Sequence, residues 1–434
     1  MKLSVIGTGY LGAVHAACMA ELGFTVVGID VDPAKIATLA GGKAPFFEPD
    51  FEPVLQRGIA SGRLTFSTDF ADLADADVHF VCVGTPQTAG SLAADTRYVD
   101  AAIDGIAKFG RAGSVVAGKS TVPVGTAARL QARLDAAAPG AFELAWNPEF
   151  LREGFAVKDT LHPDRIVIGV HGPKAEPALR QVYATMIADN TPFLVTDFPT
   201  AELVKVAANA FLATKISFIN AMAEVCETVG GDVVALADAI GHDERIGRRF
   251  LNAGIGFGGG CLPKDIRAFQ ARAAELGVEE AVAFLRDVDD VNTRRRTRVV
   301  DLAAEMLGGT VTGTRVAVLG GAFKPNSDDV RDSPALDIAD ALQKRGASVV
   351  LFDPEAMDNA TARFPDLQKA TSIEDAITGS DIVLHLTEWK VFRDIDPKAA
   401  AGLAKRPLMI DGRNALDLAA WRSAGWTAKA LGRP

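Results

Sequence analysis

The sequence has few of the residues that build a disulfide framework or a metal centre. Its 434 residues include four cysteines, none of them in a CxxC pair, and six histidines that show no ligand spacing. A disulfide-rich extracellular fold and a structural zinc site are therefore not indicated. A reducing compartment, the cytoplasm, is the expected location.

Basic charge and long apolar runs are also lacking. The formal net charge is −10, which argues against nucleic acid as a partner because phosphate backbones are bound by basic surfaces. No run of 18 uninterrupted apolar residues occurs, so no membrane-spanning helix is expected. The opening MKLSVIGTGYLG is typical of a strand and a turn rather than a signal peptide. The composition, 48% hydrophobic and 23% charged, suits a soluble chain of two or three domains.

Glycine, by contrast, is plentiful, and its first cluster predicts a dinucleotide site. A short apolar strand precedes the turn GTGYLG, whose glycines are Gly7, Gly9 and Gly12. A helix follows, and the next predicted strand ends at Asp30. In this fingerprint the pyrophosphate lies at the helix N-terminus and the acidic residue binds the adenosine ribose. A carboxylate there would repel a 2′-phosphate, so NAD is expected rather than NADP.

Strands and helices continue to alternate as far as residue 195, which predicts a doubly wound α/β domain. The further strands are expected at 78–83, 114–118, 142–145, 165–169 and 192–195. Ligands in such domains bind beyond the carboxyl ends of the strands. Three turn-rich segments fall at such ends: VGTP at 83–86, STVPVGT at 120–126 and NPEFLREG at 147–154.

Residues 200–229 form one long predicted helix that is apolar on most of its circumference. Such a helix is expected to be buried between domains or between subunits. Lys205 and Asn209 share one face of it, because they are four residues apart. Lys205 either extends its charge to solvent or is buried for a function, and the helix pattern alone favours neither.

A glycine-rich loop, FLNAGIGFGGGCLPKD at residues 250–265, precedes the fourth cysteine and has five glycines before Cys261. So much glycine lets the backbone approach another group closely. Pro263 predicts a helix start with Asp265 in its first turn. Cys261 would then precede a helix N-terminus, whose dipole favours a thiolate by roughly 0.3–1 kcal/mol. A nearby cation such as Lys264 is needed for a larger effect.

Two further groups of residues are assigned to structure alone. Cys18, Cys82 and Cys226 fall in apolar helix or strand settings and are predicted to be core residues. The basic run Arg294-Arg295-Arg296 is predicted to be a solvated helix face.

From residue 314 the opening pattern of strand, glycine-containing turn, helix and strand occurs again. Strands are predicted at 315–319, 348–352, 382–386 and 408–411, with a helix at 335–345. This pattern suits a second parallel sheet. Lys324 and Arg331 lie in its first loop, where a second phosphate-bearing ligand would bind.

A dinucleotide site together with an activated thiol favours oxidation through a covalent intermediate. Hydride transfer needs the dinucleotide, whereas a cysteine nucleophile is needed only if an aldehyde is carried on to the acid level. The residues therefore indicate an alcohol that is oxidised twice.

The chain contains the motifs GTGYLG, STVPVGT, NPEFLREG, the lysine–asparagine helix, RIGRRFLNAGIGFGGGCLPKD and AFKPNSDDVRDSP. In these motifs, and along essentially its whole length, it resembles the UDP-glucose/GDP-mannose dehydrogenase family. The resemblance implies an α/β fold with two Rossmann-like doubly wound parallel-sheet domains, joined by a long central helix and a helical dimerisation domain. The implied domains are an NAD-binding domain at 1–198, a central helical domain with the cysteine loop at 199–308, and a UDP-sugar-binding domain at 309–434. The implied activity is NAD-dependent, two-step oxidation of UDP-glucose to UDP-glucuronate by a cytoplasmic homodimer.

The same resemblance implies roles for single residues. Cys261 is the nucleophile, which forms a thiohemiacetal and then a thioester. Lys205 and Asn209 stabilise the oxyanion. The residues that position and deprotonate water are Thr121, Glu149 and Asp265, with Glu149 as a candidate base for thioester hydrolysis.

Two sets of positions match ligand contacts of the family. The positions for NAD are Gly7, Gly9, Tyr10, Leu11, Gly12, Asp30, Lys35, Thr85, Thr121, Glu153, Lys264 and Arg331. The positions for the sugar nucleotide are Glu149, Phe150, Leu151, Arg152, Lys205, Asn209, Arg245, Phe250, Leu251, Asn252, Ala253, Gly254, Gly258 and Lys324, with Arg245 reaching across the dimer.

Two residues depart from the family pattern. Gly260 stands where the family usually has serine, and Leu262 stands where its UDP-glucose enzymes usually have phenylalanine and its GDP-mannose enzymes tend to have leucine. The segments RIGRRFLNAG and LTEWKVFR favour UDP-glucose, with GDP-mannose or a UDP-N-acetylhexosamine as the alternative. Two other classes of function stay open: a single-oxidation hydroxyacid dehydrogenase, which has no use for Cys261, and a non-catalytic sugar-nucleotide-binding protein.

Overall fold

The computed structural model describes every residue from Met1 to Pro434, and the chain groups into two compact units. The first unit comprises Met1–Ala208 and Arg267–Glu279, and the second comprises Asn209–Ile266 and Glu280–Pro434. Two helices, Phe198–Val229 and Leu262–Glu275, begin in one unit and end in the other. The division into three domains at residues 198 and 308 stays a prediction.

The first unit contains an eight-stranded sheet. Its strands are β1 (Lys2–Ile6), β2 (Thr25–Ile29), β3 (Leu64–Ser67), β4 (Val78–Val81), β5 (Val115–Gly118), β6 (Glu143–Trp146), β7 (Ile166–Val170) and β8 (Phe193–Thr196). Their order is β3-β2-β1-β4-β5-β6-β7-β8. All neighbouring strands are parallel except β6 and β7, which are antiparallel. The expected sheet is confirmed with two departures, this antiparallel pair and the strand β3, which was not predicted.

Helices lie on both faces of this sheet. They are α1 (Tyr10–Glu21), α2 (Pro33–Ala40), α3 (Phe51–Ala60), α4 (Arg97–Phe109), α5 (Thr126–Ala137), α6 (Ala156–Leu161), α7 (Ala175–Val182) and α8 (Ala184–Ala188). Alternate residues of each strand enter separate cores: Val5 packs with α1 and α3, whereas Ile6 packs with α4 and α5. Burial on both faces explains why the central strands are almost continuously apolar.

The second unit contains a six-stranded sheet in which every neighbouring pair is parallel. Its strands are β9 (Arg315–Leu319), β10 (Ser348–Phe352), β11 (Gln368–Lys369), β12 (Ile382–His385), β13 (Leu408–Asp411) and β14 (Thr427–Ala430), in the order β11-β10-β9-β12-β13-β14. In each sheet the first strand, β1 or β9, marks the point where the strand order reverses. Ligands of doubly wound sheets bind at such a point.

The remaining helices include the two long ones. They are α9 (Phe198–Val229), α10 (Val233–Gly241), α11 (Leu262–Glu275), α12 (Phe284–Met306), α13 (Pro334–Lys344), α14 (Met357–Arg363), α15 (Ile373–Ile377), α16 (Lys390–Arg393), α17 (Pro397–Leu403) and α18 (Leu418–Ser423). The predicted long helix is thus confirmed and begins two residues earlier than expected. By length and composition α9 could also cross a membrane, which is weak evidence because core helices of soluble proteins pass the same test.

The run of three arginines in α12 is not a solvated face. The prediction was wrong for Arg296, whose side chain is 12% exposed, and for Arg295. The Arg295 side chain is 0% exposed and pairs with Glu227 at 3.1 Å and Glu224 at 3.6 Å. It also donates to the carbonyl of Gly254 at 3.3 Å. Arg294 is half exposed and pairs with Glu224 on the helix surface at 3.1 Å. The sequence pattern missed this because α12 packs against α9, whose acidic residues supply the partners.

We expect Arg295→Ala to lower the free energy of unfolding by about 1–3 kcal/mol, because it removes a fully buried side chain and leaves the carbonyl of Gly254 without this donor. Glu227 keeps its pair with Arg298 at 2.8 Å, so its charge stays compensated. Arg294→Ala is the matched control and should cost about 0–1 kcal/mol, as exposed ion pairs do. Urea denaturation followed by circular dichroism gives both values. Equal losses in the two variants would contradict the buried role of Arg295.

Candidate functional site

The GTGYLG turn in the first unit joins β1 to α1. Gly7 has φ +88°, a torsion that favours glycine, and a Cβ on Gly12 would lie 1.8 Å from the carbonyl oxygen of Gly7. These two glycines therefore make the turn tight. A Cβ on Gly9 would meet nothing within 4 Å, so the space beside the middle glycine is open.

The N-terminus of α1 has no side chain of its own that neutralises its dipole. Gly9 caps the helix without a side-chain hydrogen bond, and the first turn holds no acidic residue. The unpaired N–H groups of the first turn can therefore serve a phosphate. Tyr10 and Leu11, the two residues predicted between the glycines, are half-buried within this turn.

Asp30 lies at the end of β2 and is buried. One carboxylate oxygen accepts from the backbone N–H of Thr8 at 2.8 Å and from the ammonium of Lys35 at 2.9 Å. Burial disfavours the charged form, but hydrogen bonds from Lys35 and from the backbone of Asp32 and Thr8 outweigh it and lower the pKa of Asp30. A charged acceptor at this point, beside an open helix N-terminus, fits the adenosine ribose and pyrophosphate of NAD.

Glu48 is a positioning residue that sequence reasoning missed. It is buried, accepts a hydrogen bond from the hydroxyl of Tyr10, and accepts from the backbone N–H groups of Gly154 and Ala156, each at 2.6 Å. It thereby joins the GTGYLG turn to the end of the NPEFLREG segment. No motif points to it, because its partners are distant backbone groups.

The structure brings the three turn-rich segments together. The hydroxyl of Thr85, after β4, donates to the carbonyl of Thr121, after β5, at 2.7 Å. The ammonium of Lys119, at the end of β5, pairs with Glu149, after β6, at 3.1 Å. The carboxyl ends of these three strands therefore form one surface, as parallel pairing requires.

The NPEFLREG segment also meets the start of α9. The Phe150 ring has the Arg165 guanidinium 4.0 Å and the Lys205 ammonium 5.6 Å from its centroid. Lys205 is half-buried, with its charge against an aromatic face rather than free in solvent. Arg152 is exposed and paired with Asp159 at 2.7 Å, while Leu151 and Glu153 are half-buried.

In the second unit, Cys261 is exposed and immediately precedes α11. Its carbonyl accepts from the backbone N–H of Asp265 at 2.9 Å, so it caps the helix as predicted. Cys18, Cys82 and Cys226 are buried, which confirms their prediction as core residues. Burial raises the pKa of Cys82 to about 12 and that of Cys18 further. Of the four thiols, Cys261 is therefore the one placed to react.

The glycines before Cys261 allow close packing against the AFKPNSDDVRDSP segment. A Cβ on Gly258 would lie 2.2 Å from the carbonyl oxygen of Asp332, and one on Gly259 would lie 2.7 Å from the ring of Phe323. A Cβ on Gly260 would lie 2.3 Å from the guanidinium carbon of Arg331. Serine at residue 260 would require this guanidinium to move, but the Arg331 side chain is flexible and exposed, so the contact does not by itself exclude serine.

Asp265, in the first turn of α11, is buried and accepts from both sides. The amide of Asn209 donates to it at 2.6 Å, and Lys264 pairs with its other oxygen. Asn209 is itself buried. The structure therefore joins two predicted site residues, Asn209 and Asp265, that are 56 positions apart in the chain.

Other residues of the loop and its surroundings differ in exposure. Phe250 has φ 65° and is 38% exposed, whereas Leu251, Ala253 and Gly254 are buried. Asn252 is exposed and accepts from Arg248 at 2.8 Å. Lys324 is half-buried, with its ammonium 5.2 Å from the ring centroid of Phe323. The side chain of Arg245 is 88% exposed and pairs with Asp243.

Four side chains that sequence reasoning missed hold the loop backbone in place. Asn292, in α12, accepts from the N–H of Phe257 at 2.7 Å and donates to its carbonyl at 3.0 Å. The others are Asn220, which accepts from Gly254; Arg413, which donates to Gly256; and Asn414, which donates to Ala253. An asparagine inside apolar α9 was the one available signal, at Asn220.

We expect Asn292→Ala to increase amide hydrogen exchange at Phe257 by tenfold or more, because an unsatisfied buried amide costs about 1–3 kcal/mol. Exchange of peptides that cover residues 250–261 measures this by mass spectrometry. Asn252→Ala, an exposed change in the same loop, is the control and should leave exchange at Phe257 unchanged. Equal exchange in the two variants would contradict the anchoring role of Asn292.

The chain matches three models of the UDP-glucose/GDP-mannose dehydrogenase family. Residues 1–187 match its NAD binding domain, residues 199–294 its central domain, and residues 317–418 its UDP binding domain. A UDP-glucose 6-dehydrogenase of Bacillus subtilis is 41% identical over 437 residues, which cover 100% of this chain and 93% of the relative.

Two solved structures have the same fold over the full chain. A UDP-glucose dehydrogenase of Pyrobaculum islandicum superposes with a TM-score of 0.92 at 39% identity, covering 100% of this chain and 98% of that one. A UDP-D-ManNAc dehydrogenase of Pyrococcus horikoshii gives a TM-score of 0.87 at 26% identity, covering 100% and 99%. With two doubly wound sheets, a dinucleotide turn and matches over all three parts, the chain belongs to the UDP-glucose/GDP-mannose dehydrogenase family.

Proposed function

We propose that the protein is an NAD-dependent UDP-glucose 6-dehydrogenase, which oxidises the C6 alcohol of UDP-glucose to the carboxylate of UDP-glucuronate. The observation that carries this proposal is the exposed thiol of Cys261 at the N-terminus of α11, in a chain that also has an NAD-binding turn. A single oxidation to a ketone or an aldehyde has no use for a nucleophilic thiol, whereas a thiol can carry an aldehyde on to the acid through a thioester.

NAD supplies the hydride acceptor for both oxidations. The C6 alcohol first becomes an aldehyde by losing a hydride and its hydroxyl proton. The Cys261 thiolate then adds to the aldehyde carbon to form a thiohemiacetal. Loss of a second hydride and a proton makes this a thioester. Water adds to the thioester carbonyl, the carbon–sulfur bond breaks, and the thiolate leaves with the carboxylate as product.

Lys205 and Asn209 are the proposed donors to the oxygen that becomes negatively charged at the carbon bound to Cys261. Such donors are each worth roughly 3–4 kcal/mol in the transition state. The Lys205 ammonium is held against Phe150, and the Asn209 amide, one N–H of which is given to Asp265, keeps its second N–H for substrate. Thr121 and Asp265 are the proposed residues that position and deprotonate water, and Glu149 is the proposed base of the hydrolysis.

The choice of sugar nucleotide is supported by relatives rather than by a single contact. The relative of 41% identity and the structure of 39% identity are named for UDP-glucose, whereas the structure named for UDP-D-ManNAc is 26% identical. Leu262 is the residue that keeps GDP-mannose or a UDP-N-acetylhexosamine as the second candidate.

We expect two NADH to form per UDP-glucose consumed. With GDP-mannose or UDP-N-acetylglucosamine as the substrate, we expect NADH to form more slowly. Cys261→Ser should form no UDP-glucuronate. An oxygen ester on the serine would not be hydrolysed as the thioester on Cys261 is. Cys226→Ala, at a buried thiol, is the control and should keep the stoichiometry of two. Absorbance at 340 nm and chromatography of the products measure both quantities.

One NADH per substrate in the wild type would favour the single-oxidation dehydrogenase instead. Thermal stabilisation by sugar nucleotides without any NADH would favour the binding protein.

The proposed assembly is a homodimer through α9, in the cytoplasm. Phe211, Phe218 and Val225 are seven residues apart and are 66%, 48% and 52% exposed, followed by Val229 at 72%. A stripe with this spacing forms one apolar face along a helix, and a second copy of the same helix can cover it. None of the four cysteines forms a disulfide, which suits a reducing compartment.

We expect the wild type to have about twice the 45.6 kDa mass of one chain in solution. Phe218→Glu should shift it to the single-chain mass, because a carboxylate at the centre of the stripe would be buried without a partner. Light scattering after size exclusion gives the mass. Val391→Glu, at an exposed apolar residue outside α9, is the control. A wild-type mass of 45.6 kDa in solution would contradict the proposed dimer.

A further inference from the structure

Lys119 is a buried lysine at the carboxyl end of β5 to which neither the motifs nor the mechanism above assign a role. Its side chain is 5% exposed. The ammonium lies 3.1 Å from Glu149 Oε2, 3.3 Å from Asn147 Oδ1 and 3.4 Å from the hydroxyl of Tyr183. A lysine is fully buried only when its charge is paired and its three donors have partners, and these three groups supply them.

The partners of Lys119 are themselves held in place. The hydroxyl of Tyr183 donates to Asn147 Oδ1 at 2.6 Å, and the amide of Asn147 donates to the carbonyl of Val167 at 2.9 Å. The network therefore ties the ends of β5 and β6 to β7 and to Tyr183. Its geometry leaves the ammonium of Lys119 with one carboxylate neighbour, Glu149.

Glu149 keeps one position free on the oxygen that faces Lys119. Its Oε1 accepts from the backbone N–H groups of Phe150 at 2.7 Å and Leu151 at 2.8 Å. A carboxylate has about four acceptor positions, and these two bonds with the Lys119 pair use three of them. The Glu149 side chain is 17% exposed, compared with 5% for Lys119. Glu149 is therefore the more accessible member of the pair, and the ammonium of Lys119 lies on its buried side.

The other titratable groups that face the pair are uncharged near neutral pH. Burial lowers the pKa of His15, on α1, and raises the pKa of Cys18, also on α1, of Cys82, after β4, and of Tyr183. Burial also disfavours the charged form of Glu149, but its interactions with Lys119 and with the two backbone N–H groups outweigh this, and its pKa is lowered. Lys119 is thus the cation that balances Glu149.

We propose that Lys119 is a positioning residue that keeps Glu149 ionised and aims its free Oε2 position at the hydrolytic water. The inference rests on the proposed role of Glu149 as the base for thioester hydrolysis. In that step a proton passes from water to Oε2, and the water oxygen bonds to the thioester carbonyl carbon. The carbon–sulfur bond then breaks, the sulfur of Cys261 leaves as a thiolate, and Glu149 returns its proton to solvent.

The test is the pH profile of kcat with UDP-glucose for Lys119→Met. Without the cation, burial raises the pKa of Glu149, so the acid limb of the profile moves up by about one pH unit or more. At low pH kcat falls at least tenfold and recovers as pH rises, while KM for UDP-glucose changes little. In the same range the covalent adduct on Cys261 accumulates, which mass spectrometry of the acid-quenched enzyme detects.

Two conservative variants complete the test. Lys119→Arg keeps the charge, and Tyr183→Phe removes one hydroxyl without changing the charge, so both should leave the acid limb within about half a pH unit of the wild type. An equal loss of kcat at every pH in Lys119→Met would overturn the inference. So would an acid limb in Lys119→Arg that lies one pH unit or more above that of the wild type, and this second criterion does not require Lys119→Met to fold.

The wild-type stoichiometry separates this inference from the function on which it rests. Failure to form two NADH per UDP-glucose would remove the proposed function itself. If the wild type forms two NADH per UDP-glucose and the acid limb does not move in Lys119→Met, only the proposed role of Lys119 is contradicted.

Discussion

Close approach of one backbone to another is the constraint on which both units depend. At the β1–α1 turn, a Cβ on residue 12 would lie only 1.8 Å from the carbonyl oxygen of Gly7. In the second unit, Gly258 and Gly259 bring the cysteine loop against Asp332 and Phe323 in the same way. Only glycine allows these approaches, so the positions of the helix N-termini of α1 and α11 follow from residues that have no side chain.

Buried ion pairs join neighbouring elements in each unit. Lys119 with Glu149 joins the ends of neighbouring strands in the first unit, and Arg295 with Glu227 joins α12 to α9 in the second. Such pairs fix geometry more than they add stability, because desolvation offsets most of their attraction. Each pair lies beside a loop that carries candidate site residues, Glu149 in one unit and Gly254 in the other.

Three structural errors of the sequence predictions share a physical cause. The strands β3, β11 and β14 were not predicted, and each is the edge strand of its sheet. An edge strand is buried on fewer sides, so its residues need not follow an apolar pattern; β14, with the sequence TAKA, alternates buried and exposed residues with little apolar bulk. The antiparallel pairing of β6 and β7 escaped prediction too, since strand direction leaves no mark on a short apolar run.

The sequence by itself determined the two doubly wound sheets, the dinucleotide turn with Asp30, the long helix, and Cys261 ahead of a helix. Each of these is written locally, as glycine spacing, apolar periodicity or a proline at a helix start. Only the tertiary structure decided that Arg295 is buried, that Glu48 and Asn292 hold distant backbone groups, and that Lys119 meets Glu149. These roles depend on partners dozens of residues away, and a polar side chain carries no local sign of which distant group will satisfy it.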